Sequence, residues 1–167
     1  PSVAVVRLLL DAGADLEGRD GWRKIMPLHR ATRNKNPGVV QLLLAAGADL
    51  EARDMQNRTP LHEAVSSGWT NPEVVQLLLA AGADLEAREQ IDGYTPLLVA
   101  ARENYGTDFD DAGVFRYYAE PIGCPCSGRP VALEMLLAAG ANLQARDNSG
   151  RTALMIAAKR THNWRVL

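Results

Sequence analysis

Apolar positions in this chain fall into two blocks that alternate along it. The longer block opens VVQLLLAA from Val39, where Gln41 is the one polar residue, and runs through Gly47 into the charged tail DLEAR, ending at Arg53. The same letters return unchanged from Val74 to Arg88, then in altered form as VVRLLLDAGADLEGR from Val5 and LEMLLAAGANLQAR from Leu133. A run apolar but for one residue and closing on glycine predicts a helix, because glycine takes the left-handed C-terminal position without a side-chain clash. Apolar residues on almost every side predict a helix sandwiched between neighbours, not one resting on a surface.

The shorter block reads MPLHRA from Met26, TPLHEA from Thr59, TPLLVA from Thr95 and TALMIA from Thr152. A threonine hydroxyl can cap the free amides of a starting helix, and proline at the first helical position loses no hydrogen bond. A short first helix is therefore predicted at each block, with Met26 lacking the cap. Gly13, Gly47 and Gly82 recur at intervals of 34 and 35 residues, whereas Gly82 to Gly140 spans 58. Self-similarity at such a period predicts a stacked array in which one unit carries an insertion.

With its TPLHxA and VVxLLLxxGADxxAx lines, the chain resembles the ankyrin repeat family. The resemblance implies a mainly α solenoid of helix-turn-helix pairs joined by β-turn or hairpin loops. The expected organisation is one domain over 1–167: a partial repeat at 1–19, repeats at 20–53 and 54–88, an insertion-bearing repeat at 89–146 and a partial repeat at 147–167. The insertion, about 105–128, holds Tyr105, Phe109, Phe115, Tyr117 and Tyr118. So aromatic a stretch is unlike a disordered linker. It is expected to fold back on its neighbours, with a short helix from Asp111 to Glu120 and Trp69 as a contact.

Composition adjusts this picture only slightly. A chain 47% hydrophobic but 5% aromatic suits stacked Leu/Ala helices without a single large core. Eighteen basic residues against 20 acidic ones give no broad basic footprint for nucleic acid or an anionic membrane. No apolar run reaches the roughly 18–20 residues that span a bilayer, so no membrane partner is expected and a cytoplasmic setting fits. Val5, Leu8 and Leu9 have no first helix beside them, and the last unit stops after its first helix. This pattern is expected of a fragment of a longer array, or of ends covered by something else.

The resemblance also implies where function lies, because turn tips and first helices of such stacks line a concave face. The tips map to Trp22, Arg23 and Ile25; Met55, Gln56 and Arg58; Gln90, Ile91 and Tyr94; and Asn148, Ser149 and Arg151. The outer first-helix positions are Arg33, Asn34, Ser66, Ser67, Arg102, Glu103, Lys159 and Arg160. Tryptophan, tyrosine and arginine are the types enriched at binding hot spots. Arg19, Arg53, Arg88 and Arg146 recur at one point per unit, two residues after Glu17, Glu51, Glu86 or Gln144. This ladder is expected to form solvated cross-repeat ion pairs worth about 0–1 kcal/mol each.

Catalytic chemistry finds little support. His29 and His62 occupy the TPLH line, where the family uses the ring to tie adjacent turns, and a catalytic base also needs a placed partner and pocket. Leu98 and Met155 replace that histidine in later units, predicting looser turns there. Asp108 to Gly113 begins like a calcium loop, but Ala112 and Ala119 stand where ligands are required. Cys124 and Cys126 are spaced too tightly for a zinc knuckle and have no second ligand pair. The expectation is a monomeric, noncatalytic scaffold without metal or cofactor that binds another protein, unless its ends or insertion pair. The alternatives are a regulatory or targeting segment of a larger enzyme, effector or channel, and a surface for a small ligand or oligonucleotide.

Overall fold

The computed structural model describes residues 3–34, 36–66, 71–103, 107–109, 115–117 and 131–160. Helices α1 (Val3–Asp11), α3 (Pro37–Ala45), α5 (Pro72–Ala80) and α7 (Val131–Ala138) form one layer. Helices α2 (Pro27–Arg33), α4 (Pro60–Ser66), α6 (Pro96–Glu103) and α8 (Ala153–Arg160) form the other. Each helix packs on its counterpart in the next repeat, α2 on α4 on α6 on α8 and α1 on α3 on α5 on α7. The core is one continuous strip running the length of the stack, from Leu28 and Val40 through Leu61, Val75 and Leu78 to Leu97 and Leu136.

Helix starts follow the caps in the sequence. Thr59 Oγ1 accepts from the His62 amide and Thr95 Oγ1 from the Leu98 amide, each at 3.4 Å. Met26 at the equivalent point makes no side-chain cap bond. The longer helices α3 and α5 start on Asn36 and Asn71, whose side-chain oxygens accept from the Val39 and Glu73 amides at 3.2 and 3.0 Å. They end on Gly47 and Gly82, at φ +90° and +89°. Behind each glycine, paired backbone bonds such as Gly47 N to Leu44 O and Ala48 N to Leu43 O, both 3.0 Å, close a Schellman motif.

Two expectations are corrected. The longer helices are not buried all round: α3 buries Val39, Val40 and Leu43, and α5 buries Val74, Val75 and Leu78, while Gln41 and Gln76 face outward. A two-layer stack leaves each outer helix one side for solvent, and the glutamines occupy it. Within the insertion, Phe115–Tyr117 is a strand (β2) paired antiparallel with Thr107–Phe109 (β1), in the register Phe109 to Phe115 and Thr107 to Tyr117. Phe115–Tyr117, the described part of the helix expected over 111–120, is therefore strand. Phe and Tyr at alternate positions favour a pleated strand over a helix. Most of that segment, with Trp69, Cys124 and Cys126, lies outside the described residues, as does most of the calcium-loop candidate.

The terminal helices show Val5, Leu8 and Leu9 of α1 and Leu154 and Met155 of α8 exposed. Among the described residues no helix is long and apolar enough to cross a membrane.

Candidate functional site

Each turn tip is folded around one acidic side chain. Asp54 Oδ1 accepts from the Gln56 and Arg58 amides at 2.9 and 2.8 Å, and Asp147 Oδ1 accepts from Ser149 and Arg151 at the same distances. In the third tip Glu89 does this work, with Oε2 accepting from Ile91 at 2.9 Å and Oε1 from Asp92 at 2.7 Å. Asp20 Oδ1 accepts from the Ile25 amide at 2.9 Å. That bond, helped by the Arg30 guanidinium, holds the Asp20 carboxyl below the usual carboxylate range. Burial pushes the Asp147 carboxyl up, but the Arg151 amide and guanidinium outweigh it and hold it low.

Successive tips are then tied edge to edge. The amides of Met55, Gln90 and Asn148 donate to the carbonyls of Arg23, Gln56 and Asp92 at 2.9, 2.9 and 2.8 Å. Backbone bonds of this kind join the tips without engaging their side chains.

The ladder of charges proves to be backbone glue. Glu17, Glu51 and Glu86 each place Oε1 on an amide of the next repeat, those of Asp49, Asp84 and Asn142, at 2.9, 2.8 and 2.9 Å. Arg53 donates to the Arg88 carbonyl at 3.3 Å, and Arg88 to that of Arg146 at 2.8 Å. The expected cross-repeat ion pairs are thus corrected: an exposed pair gains little in water, whereas a carboxylate facing an unpaired amide satisfies a group the turn leaves open. Regular recurrence of Glu and Arg two residues apart was the available signal.

The histidines perform the tying role that the resemblance implied. His29 Nε2 lies 3.0 Å from the Arg58 carbonyl and His62 Nε2 lies 3.1 Å from that of Tyr94, one repeat further on. Both rings are buried. Desolvation lowers the His62 pKa to about 4, so the ring is neutral near neutral pH. At Leu98 the ring is missing, and a different bond crosses the junction: Arg151 donates to the Tyr94 hydroxyl at 3.1 Å.

The candidate tip residues separate into two groups. Trp22, Met55 and Ile91 are 71%, 41% and 67% exposed. Arg23 stacks its guanidinium 5.2 Å from the Trp22 ring. Gln56 is half-buried and Gln90, Asn148 and Ser149 are exposed. Ile25 and Tyr94, however, are 8% and 6% exposed and are corrected from partner contacts to core residues. Each stands two residues before the helix proline, and the turn swings that position under the tip. Arg58 is half-buried against Glu63 at 3.3 Å, and Arg151 is held by Asp147 at 2.6 Å.

On the first helices Arg33, Asn34 and Arg102 are exposed and Ser66 is half-buried, its hydroxyl donating to the Glu63 carbonyl. Arg102 lies 5.6 Å from the Tyr94 ring and 3.8 Å from Asp92. Ser67 and the side chains of Glu103, Lys159 and Arg160 lie outside the described residues. A cavity of about 180 Å³ between α1, α2 and α3 is lined by Val6, Pro27, Ala31, Val39 and Leu43 with Arg30, Asn34 and Asn36, so its walls supply no carboxylate, thiol or histidine. Among the described residues no group of three or more His, Cys, Asp or Glu side chains is placed to hold a metal ion.

Comparison with known families matches a model of ankyrin repeats, three copies, over residues 2–89 and 28–109. No curated protein matches the chain.

Proposed function

Because the chain belongs to the ankyrin repeat family, whose repeats are in general protein-interaction modules, we propose that it is a noncatalytic scaffold that holds a partner protein on the face formed by its turn tips and first helices. The observation that carries this reading is the row of tips joined by backbone hydrogen bonds from Arg23 to Asn148, with Trp22, Met55 and Ile91 projecting from it. A surface ordered before binding loses little conformational entropy on association, so a few anchors suffice. Family members are typically noncatalytic, and in this chain the two histidines of the TPLH line are buried and bonded to backbone, not aimed into a cleft. The formal charge near −2 supports a protein partner over a nucleic acid or an anionic lipid surface. A cytoplasmic setting and a monomeric state belong to the same proposal.

The test compares capture of proteins from a lysate by this chain and by a Trp22→Ala, Met55→Ala, Ile91→Ala variant, whose fold is checked by circular dichroism. A partner held by the parent and lost by the variant supports the tip surface. A partner held equally by both overturns it.

A further inference from the structure

Four apolar side chains are exposed at positions that the other units bury. Leu154 and Met155 of α8 are 78% and 53% exposed. Their counterparts in the earlier first helices, Leu28, Leu61 and Leu97 for the one and His29, His62 and Leu98 for the other, are at most 1% exposed. Val5 and Leu9 of α1 are 51% and 55% exposed, whereas Val39, Val74 and Ala132, and Leu43, Leu78 and Leu136, are buried. The residue types are those of the repeat, so what differs is the neighbour. Within a unit a short first helix packs on a long second one: α2 on α3, α4 on α5 and α6 on α7. Helix α8 is a first helix and α1 a second helix, each one half of such a pair.

We infer that α8 of one copy of this chain and α1 of a second copy pack together and complete a repeat between them, so that copies stack head to tail. Such a contact continues the interface already running through the chain, with α2 of the second copy following α8 in the first-helix layer and its α1 following α7 in the other. The cavity between α1, α2 and α3 marks the seat. One repeat further on, the residues equivalent to its apolar lining, Val40, Pro60, Ala64, Val74 and Leu78, are all buried where α2 lies on α3 and α4. In the first unit α8 of the other copy takes the place that α2 takes there. Polar groups match as well. Glu17, Glu51 and Glu86 each accept from an amide of the next repeat, those of Asp49, Asp84 and Asn142. The next member of that series is the exposed Gln144, whose side-chain carbonyl can accept in the same way, and the matching amide is that of Asp15 in the second copy. An unrelated partner would have to fit both helix layers and this ladder at once, whereas a second copy carries the repeat's own pattern. The two faces are different surfaces, so the contact is heterologous and grows into open chains instead of stopping at a symmetric dimer. The monomer proposed above is the dilute species of this equilibrium.

Sedimentation equilibrium of the whole chain from about 1 to about 500 μM tests this, with two variants that each spoil one face, Leu9→Glu and Leu154→Glu. Both leucines are exposed, so either variant should fold, which circular dichroism checks. A charge placed on either face would be buried without a partner in the stack. The average mass of the parent should climb with concentration past twice the monomer mass, and each variant alone should stay monomeric. An equimolar mixture of the two should reach about twice the monomer mass and no more, because the intact α8 face of the Leu9 variant meets the intact α1 face of the Leu154 variant. A Trp22→Ala, Met55→Ala, Ile91→Ala variant should associate as the parent does, which separates this contact from the turn-tip face. A parent that stays monomeric over the whole range, a single variant that associates like the parent, a mixture that stays monomeric, or association lost with the tip variant would each overturn the stack.

Discussion

The Thr59 hydroxyl lies 2.8 Å from Nδ1 of His62, and the equivalent pair one repeat earlier, Met26 and His29, has no such contact. With Nε2 donating to the Tyr94 carbonyl, Nδ1 of His62 is the acceptor, and the Thr59 amide approaches it at 3.2 Å. His29 donates to the Arg58 carbonyl in the same way, but its Nδ1 is buried without a hydrogen-bond partner among the described residues. One substitution thus removes both a helix cap and the group that answers a buried nitrogen.

Met26→Thr adds a cap worth about 0.5–2 kcal/mol and a partner for the buried His29 nitrogen worth about 1–3, against roughly 1.5–3 kcal/mol of methionine burial lost, so a net gain of about 1 kcal/mol is expected. Urea unfolding checks it: the midpoint rises with an unchanged slope. A lower midpoint would show that methionine packing outweighs the cap.

Acid should loosen the next junction along, where His62 reaches the Tyr94 carbonyl. The folded-state pKa of His62 is about 4, below its ordinary 6.5. The fold therefore refuses a proton that the unfolded chain accepts, so stability contributed by this ring is full above pH 6.5 and drains as pH falls toward 4. A difference of that size corresponds to roughly 3 kcal/mol. Unfolding free energy measured across this window should fall in the parent and fall less in His62→Leu. Equal slopes in the two chains would remove His62 as the cause.

Two turn positions should respond in opposite directions to a change in side chain. Lys24 holds φ +53°, a left-handed conformation that costs a residue with a Cβ about 1–2 kcal/mol. Lys24→Gly is expected to raise the melting temperature. Gly93 holds φ +69°, and a Cβ there would collide with Oδ1 of Asn148. Gly93→Ala should therefore destabilise by more than about 1 kcal/mol. Melting curves of the two variants check the pair, and shifts of the same sign would contradict it.

The glutamate ladder predicts a dependence on oxygen, not on charge. Glu51 reaches the Asp84 amide at 2.8 Å through one oxygen, which a glutamine carbonyl can replace. Glu51→Gln should cost a few tenths of a kcal/mol and Glu51→Ala about 1 kcal/mol. If chemical denaturation finds both substitutions equally costly, the ladder acts through charge instead.

Much of this architecture was legible because repetition made local signals redundant. The paired VVQLLLAAGADLEAR blocks locate α3 and α5, Gly47 and Gly82 mark their left-handed ends, and the missing cap at Met26 is visible beside Thr59 and Thr95. The tying role of His29 and His62 followed from the resemblance, since a lone histidine on an apolar helix does not announce its partner. Less legible was which tip residues face out. Ile25 and Tyr94 look like Trp22 and Ile91 in the linear order, yet a turn of a few residues points them inward.

The sequence by itself determined the repeat, the alternating short and long helices and the glycine stops, because each depends on the preference of a residue or its near neighbours for one backbone geometry. Only the tertiary structure decided that Glu17, Glu51 and Glu86 answer amides 32, 33 and 56 residues away, that Arg151 replaces a missing histidine by reaching Tyr94, and that three apolar tips line up while two others are buried. Those outcomes depend on which groups stacking brings within hydrogen-bond reach, and distance along the chain carries no record of that.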